Sequence, residues 1–217
     1  MAKKPIQEIR DELIVIALDL LDEGGLEAVK ARTIASRAGI SLGSIYNYVG
    51  TIEDLLVLAN GRMLTELEAA GRAAAETALA ADAYSSPILA LYEMDEERLL
   101  LRQRLLALAE RYVEFVQTYN NRWAAMLAFN ANMQMATQQQ AYQAQQDSLL
   151  DLIGAALAQT SIAQTAERRR LTSRALWAGV HGITLLGYLN KTSPEARAET
   201  WTQIDILVTT FVNGLSR

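Results

Sequence analysis

The sequence predicts an all-α protein, and three observations carry this prediction. Only three of the 217 residues are proline, the residue that helix interiors tolerate least. The good helix formers Ala, Leu, Glu, Gln and Arg are frequent, and apolar residues recur at three- and four-residue steps, as on one face of a helix. No run of alternating β-branched residues indicates a strand. We therefore expect about nine helices and no sheet.

The composition favours a cytoplasmic globular protein. Apolar residues make up 51% of the chain, which is ample for a packed core. There is no cysteine, so a disulfide framework and a thiolate metal site are both excluded. The N-terminal sequence MAKKPIQEIRDE carries charges where a signal peptide has an apolar segment. The longest apolar stretch, 175–189, contains His181 and is too short to cross a bilayer, so no membrane partner is expected.

The first two helices are predicted from apolar spacing and glycine signals. A helix begins near residue 6 and ends at Gly24 and Gly25. A short second helix follows around residues 34–38, and Gly39 supplies the left-handed conformation that a sharp turn requires. The buried stripe of the first helix consists of Ile6, Ile9, Leu13, Ile16, Ala17, Leu20 and Leu21.

Capping signals place the third and fourth helices. Ser41 is a suitable N-cap for a brief third helix, which Gly50 ends. Thr51 then begins a long fourth helix, because Asp54 three residues later completes a capping-box pattern. We expect this helix to continue into the Ala-rich segment 69–81.

Five more helices are predicted in the C-terminal part. Segment 82–97, with Ser-Ser-Pro and an acidic cluster, is expected to be a connection with one helical turn. The Gln-rich segment 130–146 lacks Pro and Gly and is expected to be the exposed start of a helix. Two final helices are expected at 165–190 and 193–215, the last with a Ser-Pro pair at its start. The intervening apolar stripes are Leu101, Leu105, Leu108, Tyr112, Phe115 and Val116; Trp123, Met126, Leu127 and Phe129; and Leu149, Leu152, Ile153 and Ala156.

The segment 30–49 has the plan of a DNA-reading helix-turn-helix, although an ordinary helical hairpin is the alternative. Five apolar residues are placed to pack inward: Ile34, Ala35, Ile40, Ile45 and Val49. The side chains left outward on the second helix of the motif are neutral, and most can hydrogen-bond: Leu42, Gly43, Ser44, Tyr46, Asn47 and Tyr48. Such a surface suits the major groove, where Asn can bond adenine in bidentate fashion. Because the net charge is -5, this motif rather than bulk charge predicts DNA binding.

The run ASRAGISLGSIYNYV, Ala35 to Val49, resembles the signature of the TetR family of one-component repressors. The resemblance extends over about residues 6–64. It implies an N-terminal three-helix helix-turn-helix DNA-binding domain at 1–50 and a larger helical ligand-binding and dimerisation domain at 51–217. The expected function is a ligand-releasable repressor that binds a palindromic operator in double-stranded DNA as a homodimer. The alternative is a ligand-independent dimeric DNA-binding regulator without an effector pocket.

The family pattern, carried over to this chain, implies a set of DNA-contacting residues. Arg32 becomes a base or phosphate contact, Tyr48 a phosphate contact and Thr51 the start of a phosphate cradle at a helix N-terminus. Two positions depart from the pattern, since Lys30 replaces the usual Ser or Thr cap and Ile52 replaces a Lys. The complete set is Lys30, Arg32, Thr33, Ser41, Gly43, Ser44, Tyr46, Asn47, Tyr48 and Thr51. The cations expected to be available to phosphates are Lys3, Lys4, Arg10, Lys30, Arg32 and Arg37.

A small-molecule effector site is predicted in the C-terminal part. Segment 176–182, with Trp177 and His181, resembles a Trp-x-x-x-His-Gly segment found in one subgroup of TetR-family effector domains. Aromatic residues mixed with single polar groups are typical of ligand sites between helices. Core packing is the favoured alternative for any one of these residues, and a lone His is more often structural than a ligand. The predicted ligand-binding residues are Tyr112, Phe115, Trp123, Met126, Phe129, Trp177 and His181.

The last two helices are predicted to form the dimer interface. Small residues on one side of the penultimate helix permit close approach by another helix, and an apolar stripe runs along the last one. The alternative is that both faces pack into the core of their own subunit. The small residues are Ala175, Gly179 and Gly182, and the stripe is Ile204, Val208, Phe211 and Leu215.

An enzyme is the rival class, and the sequence argues against it. It offers no cysteine nucleophile, no metal-ligand cluster, no phosphate-binding glycine loop, and a single histidine without a visible partner. No cofactor or metal is expected. The charge runs 93–97 and 168–170 are interpreted as solvated surface.

Overall fold

The computed structural model describes residues 4–77, 86–132, 136–161, 165–188 and 193–215. Within these ranges every regular element is helical, which confirms the all-α prediction. No helix of the described part is long and apolar enough to cross a membrane. The nine α-helices of these ranges are α1 Ile6–Gly24, α2 Ala31–Ala38, α3 Leu42–Val49, α4 Ile52–Thr77, α5 Glu96–Thr118, α6 Asn120–Ala131, α7 Ala136–Ala158, α8 Ala166–Tyr188 and α9 Pro194–Gly214.

Several helix ends follow the capping signals in the sequence. Gly25, at φ 64, takes the chain out of α1. Ser193 accepts a hydrogen bond from the amide of Ala196 at 3.2 Å, and Pro194 is the first residue of α9. In the predicted connection 82–97 the described part contains a short 3₁₀ turn. The predicted continuation of α4 to residue 81 lies outside the described residues.

The chain divides into two compact units. The first comprises Met1–Thr65 and Tyr119–Gln145, and the second comprises Glu66–Thr118 and Gln146–Arg217. Helices α4 and α7 therefore contribute residues to both. This division differs from domains at 1–50 and 51–217, because α6 and the first part of α7 group with the N-terminal helices.

In the first unit, charged and polar side chains tie α6 to the end of α1. Arg122 donates Nε to Asp22 Oδ1 at 3.1 Å, and a second guanidinium nitrogen pairs with the other carboxylate oxygen. Asn121 donates its side-chain amide to the carbonyl of Asp22 at 2.8 Å. Trp123 and Met126, on the same helix, are buried. These two apolar side chains therefore belong to the core of the unit that carries the helix-turn-helix.

In the second unit, a buried ion pair joins α5 to α9. Arg102 donates to Asp205 Oδ1 at 2.5 Å and to Thr209 Oγ1 at 2.8 Å. Thr209 in turn donates to Asp205 at 2.9 Å. All three side chains are nearly inaccessible to solvent. Because each charge is both paired and hydrogen-bonded, the desolvation cost of burying it is offset.

The apolar stripe of α9 faces the core of its own subunit, which corrects its interpretation as a dimer surface. Ile204, Val208 and Leu215 are buried within the single chain. Gly179 of α8 lies against α9 of the same chain, where an added Cβ would come within 2.6 Å of Leu207 Cδ2. The sequence pattern was compatible with both outcomes, because helical spacing identifies an apolar face without identifying what covers it.

Candidate functional site

The turn between α2 and α3 is built by one glycine and one serine. Gly39 adopts φ 65 and ψ 29, the left-handed conformation that reverses the chain after α2. Ser41 caps α3, because its Oγ accepts a hydrogen bond from the amide of Ser44 at 3.2 Å. Both features confirm the turn predicted from the sequence.

Helix α3 has one face packed against the rest of the motif and an opposite face exposed to solvent. Ile45 and Val49 are buried, as is Ile34 on α2. On the opposite side, Tyr46 is 49% exposed, and Asn47 is exposed beside it. A helix held from one side and exposed on the other has the geometry needed to enter a major groove.

The other predicted DNA contacts surround this exposed face. An added Cβ on Gly43 would meet nothing within 4 Å, so a DNA backbone or base edge can approach closely there. The hydroxyl of Ser44 lies 2.7 Å from that of Ser41, so both hydroxyls belong to the cap before DNA is present. The remaining exposed members of the predicted set are Lys30, Arg32 and Thr51, and the half-buried members are Thr33 and Tyr48.

The start of α4 is a closed capping box. Thr51 donates its amide and its hydroxyl to Asp54 Oδ2, at 3.0 and 2.8 Å, and Asp54 donates its amide to Thr51 Oγ1 at 3.0 Å. The predicted capping box is therefore confirmed. A phosphate placed at Thr51 would compete with the Asp54 carboxylate for the amide and hydroxyl of Thr51. The prediction of a phosphate cradle did not include this competition.

Two of the cations expected to be available to phosphates are already paired. Arg37 holds Glu23 through two hydrogen bonds, at 2.9 and 2.5 Å, and these lower the pKa of the Glu23 carboxyl. Lys4 pairs with Glu12 at 3.0 Å. Lys3 lies outside the described residues, whereas Lys30 and Arg32 are exposed at the start of α2.

A second candidate site is a cavity of about 50 Å³ within the second unit. Its wall is formed by side chains of α4, α5, α7, α8 and α9, and the described residues that line it include no charged side chain. Two aromatic residues, Tyr112 and Trp177, contribute to the wall. Six leucines form much of the remainder: Leu67, Leu105, Leu108, Leu149, Leu152 and Leu176.

An aromatic cluster stands at this cavity. Tyr112 Oη lies 2.6 Å from His181 Nδ1. The rings of Trp177 and His181 are stacked, with centroids 5.7 Å apart, and Tyr112 and Trp177 are 4.8 Å apart. Burial lowers the pKa of His181, so the imidazole is neutral near pH 7.

The structure divides the predicted ligand-binding residues between the two units. Tyr112, Trp177 and His181 lie together in the second unit, whereas Trp123, Met126 and Phe129 lie in the first. Phe115 is half-buried on α5 and is not part of the cavity wall. The lining leucines were missed, because an apolar stripe looks the same whether it borders a cavity or solid core. Gly71 lies in the interior of α4 and in the cavity wall. A glycine inside a helical pattern often has a packing or functional reason, so this residue was the one sequence signal for the cavity.

An apolar strip on α8 remains exposed in the single chain. Leu171 and Leu186 are 53% and 73% exposed, although buried positions are usual for side chains of this type. Ala175 and Ala178 lie exposed between them, and an added Cβ at Gly182 would meet nothing within 4 Å. The strip follows helical spacing along one face. On α9, Ile206 is also exposed, at 47%.

Fold and motif together define a helix-turn-helix transcriptional regulator. The family described as "Bacterial regulatory proteins, tetR family" matches residues 13–59, and the family "Tetracyclin repressor-like, C-terminal domain" matches residues 105–204. The chain belongs to the TetR family. Separate family models thus match the helix-turn-helix segment and a helical C-terminal segment.

Similar proteins include repressors and regulators of this family. The HTH-type transcriptional repressor KstR of Mycolicibacterium smegmatis is 35% identical over 63 residues, which cover 29% of this chain and 31% of the repressor. The chain thus aligns with less than a third of that relative's length. A TetR-family regulator from Mesorhizobium loti has a similar fold, with TM-score 0.69, 14% identity and coverage of 99% and 100% of the two chains. FadR from Bacillus subtilis, in complex with stearoyl-CoA, has TM-score 0.66, 13% identity and coverage of 91% and 97%.

Proposed function

We propose that this protein is a transcriptional repressor that binds operator DNA through α3. One observation carries the proposal: α3 is anchored by buried Ile45 and Val49 while Tyr46 and Asn47 face solvent. An exposed amide and hydroxyls can bond base edges and phosphates without a strongly basic surface. The tetR-family match covers residues 13–59, the part of the chain that contains α3.

The proposed DNA-binding form is a two-fold homodimer on a palindromic operator. One short neutral helix contacts few bases, and a symmetric pair doubles the contacts without new chemistry. The α8 strip that includes Leu171, Gly182 and Leu186 supports this proposal, because it is apolar, exposed and open to close approach by another helix.

Release by a small-molecule effector completes the proposal. The uncharged cavity beside Tyr112 and Trp177 is the proposed effector site, and FadR, of similar fold, carries stearoyl-CoA. The small size of the cavity, about 50 Å³, favours the alternative of a ligand-independent dimeric regulator, since small-molecule pockets usually measure roughly 300 to 1,000 Å³. A thermal-stability screen against metabolites decides between the two, because only a specific ligand raises the midpoint by mass action.

Selection of bound duplexes from random DNA tests the proposed function directly. The full-length protein is expected to enrich a palindrome whose half-site centres lie roughly 34 to 36 Å apart or a little more. Sedimentation of the purified complex should give two chains per operator. Enrichment of no sequence would contradict the proposed DNA-binding function, and a single chain bound to an asymmetric site would contradict the dimer.

A further inference from the structure

The wall of the second-unit cavity is almost entirely apolar. Aliphatic side chains line most of it, Tyr112 and Trp177 supply its aromatic part, and no charged side chain is among the described lining residues. An ionised ligand group placed against such a wall would lose its hydration without gaining a counter-charge. The desolvation penalty of an unpaired ion therefore opposes its binding in this cavity.

The buried charges of this unit are already committed to one another. Arg102 lies one helical turn before the lining residue Leu105, and Asp205 lies three residues before the lining residue Val208. Arg102 holds Asp205 at 2.5 Å. A ligand carboxylate that drew on Arg102 would have to leave Asp205 buried and unpaired, which costs more than it returns.

The hydrogen-bonding groups of Tyr112 and His181 at the cavity are also uncharged. Tyr112 lines the cavity, and its hydroxyl is 2.6 Å from Nδ1 of His181. Burial disfavours the imidazolium form of His181. The hydroxyl and the neutral imidazole can exchange partners with an alcohol or carbonyl group, but neither offers a positive charge to an anion.

We propose that the effector of this protein is an uncharged molecule, and that the part of it that enters the cavity is hydrocarbon, with one neutral polar group directed to Tyr112 and His181. This inference rests on the proposed effector site and specifies its ligand class. A cavity of about 50 Å³ is smaller than the roughly 150 Å³ that hold a benzene molecule. The leucine side chains of the wall therefore move apart when the ligand enters.

Gly71 offers a way to narrow the cavity by one methyl group. A Cβ added there would lie 3.1 Å from Leu152 Cδ1 and 3.3 Å from Leu108 Cδ2, both in the cavity wall. Gly154 on α7 provides the matched control, because its added Cβ would be 3.6 Å from Ser173 Oγ, an ordinary contact, and Gly154 is not among the lining residues. Both substitutions to Ala raise helix propensity.

The test uses three probes of equal chain length, 1-octanol, octanoate and octylamine, at about pH 7.5, where the acid and the amine are ionised. Calorimetric titration of the full-length protein is expected to give octanol an affinity at least about tenfold above that of either ion. Gly71→Ala should weaken octanol binding by about tenfold while the folded state is retained. Gly154→Ala should leave octanol binding unchanged.

Other results would contradict either the uncharged class of the ligand or its assignment to this cavity. Octanoate or octylamine binding as tightly as octanol would overturn the uncharged class and leave the effector site standing. Equal octanol affinity in Gly71→Ala and the parent protein, or binding of none of the three probes, would overturn the assignment to this cavity. Operator binding, which requires no probe, is measured separately, so failure of the repressor proposal is distinguishable from both results.

Discussion

At the level of single residues, neighbouring side chains on α3 are either buried, and hold the helix in place, or exposed, and are the proposed DNA contacts. Ile45 has no exposed surface and, with buried Val49, holds the helix in place. Tyr46 and Asn47, which follow Ile45 in the sequence, are exposed. Asn47 is the residue of this surface best suited to read a base, since its amide can both donate to and accept from adenine.

Replacement of Asn47 by Ala is therefore expected to relax the preference at one operator position by about 1 to 3 kcal/mol. Tyr48→Phe removes only a hydroxyl assigned to phosphate, so it should weaken all sequences similarly. Binding of a set of operators with single base changes measures both effects. Unchanged selectivity in Asn47→Ala would refute the assignment of Asn47 to a base.

His181 is the single histidine of the chain, so its titration can be isolated. Burial lowers the pKa of His181 in the folded state, whereas the same imidazole in the unfolded chain has a pKa of about 6.5. Below that pH the unfolded state takes up the proton first, and the stability gained from a neutral His181 is lost as the pH falls toward the folded pKa. Above it, no such loss occurs.

We therefore expect the unfolding free energy of the parent, minus that of His181→Asn, to fall as the pH is lowered from about 8 to 5. Denaturation of both proteins across this range measures the difference. The subtraction removes the titration of the carboxylates shared by both proteins. A difference that is constant over the whole range would contradict a depressed pKa for His181.

At the level of helices, local signals in the sequence were sufficient where the controlling contacts are local. Ser41, Thr51 and Gly39 act within three or four residues, and each behaves as its pattern predicts. The grouping of α6 with α1 depends on Arg122 and Asp22, which are 100 residues apart. No helical period contains that pairing, so the sequence could not place Trp123 and Met126 in the first unit.

The pair formed by Arg102 and Asp205 is expected to hold α5 and α9 together. Arg102→Ala leaves a buried carboxylate unpaired and should cost about 3 to 5 kcal/mol in unfolding free energy. The double variant Arg102→Met with Asp205→Leu should recover most of this loss, because no charge is then buried. Chemical denaturation measures both, with Arg111→Ala, from a more exposed ion pair, as a control expected to change stability by less than about 1 kcal/mol. A double variant as unstable as Arg102→Ala would contradict this account.

At the level of the whole molecule, the exposed strip on α8 is the proposed contact between two copies. Apolar spacing alone could not separate this face from the buried stripe of α9, because both repeat with the helical period. Burial within one chain separates them: Ile204 and Val208 are covered, whereas Leu171 and Leu186 are not.

Leu186→Glu should therefore raise the dimer dissociation constant by at least about a hundredfold, because a two-fold interface contains the substitution twice. Leu91 provides a matched control, since it is 77% exposed compared with 73% for Leu186 and lies outside the strip. Sedimentation should show Leu186→Glu as a monomer and Leu91→Glu as a dimer at micromolar concentration. Equal dimerisation of the two variants would place the interface elsewhere.

The distribution of tryptophan gives each compact unit its own optical reporter. Trp123 is buried in the first unit. Trp177 stacks on His181 in the second, which also holds Trp201. A variant that retains only Trp123 would report fluorescence from the first unit, and one that retains only Trp177 would report the second. Coincident unfolding curves would mean that one cooperative transition spans the chain. Different midpoints would mean that one unit can unfold while the other stays folded, and the two curves would give the unfolding free energy of each unit.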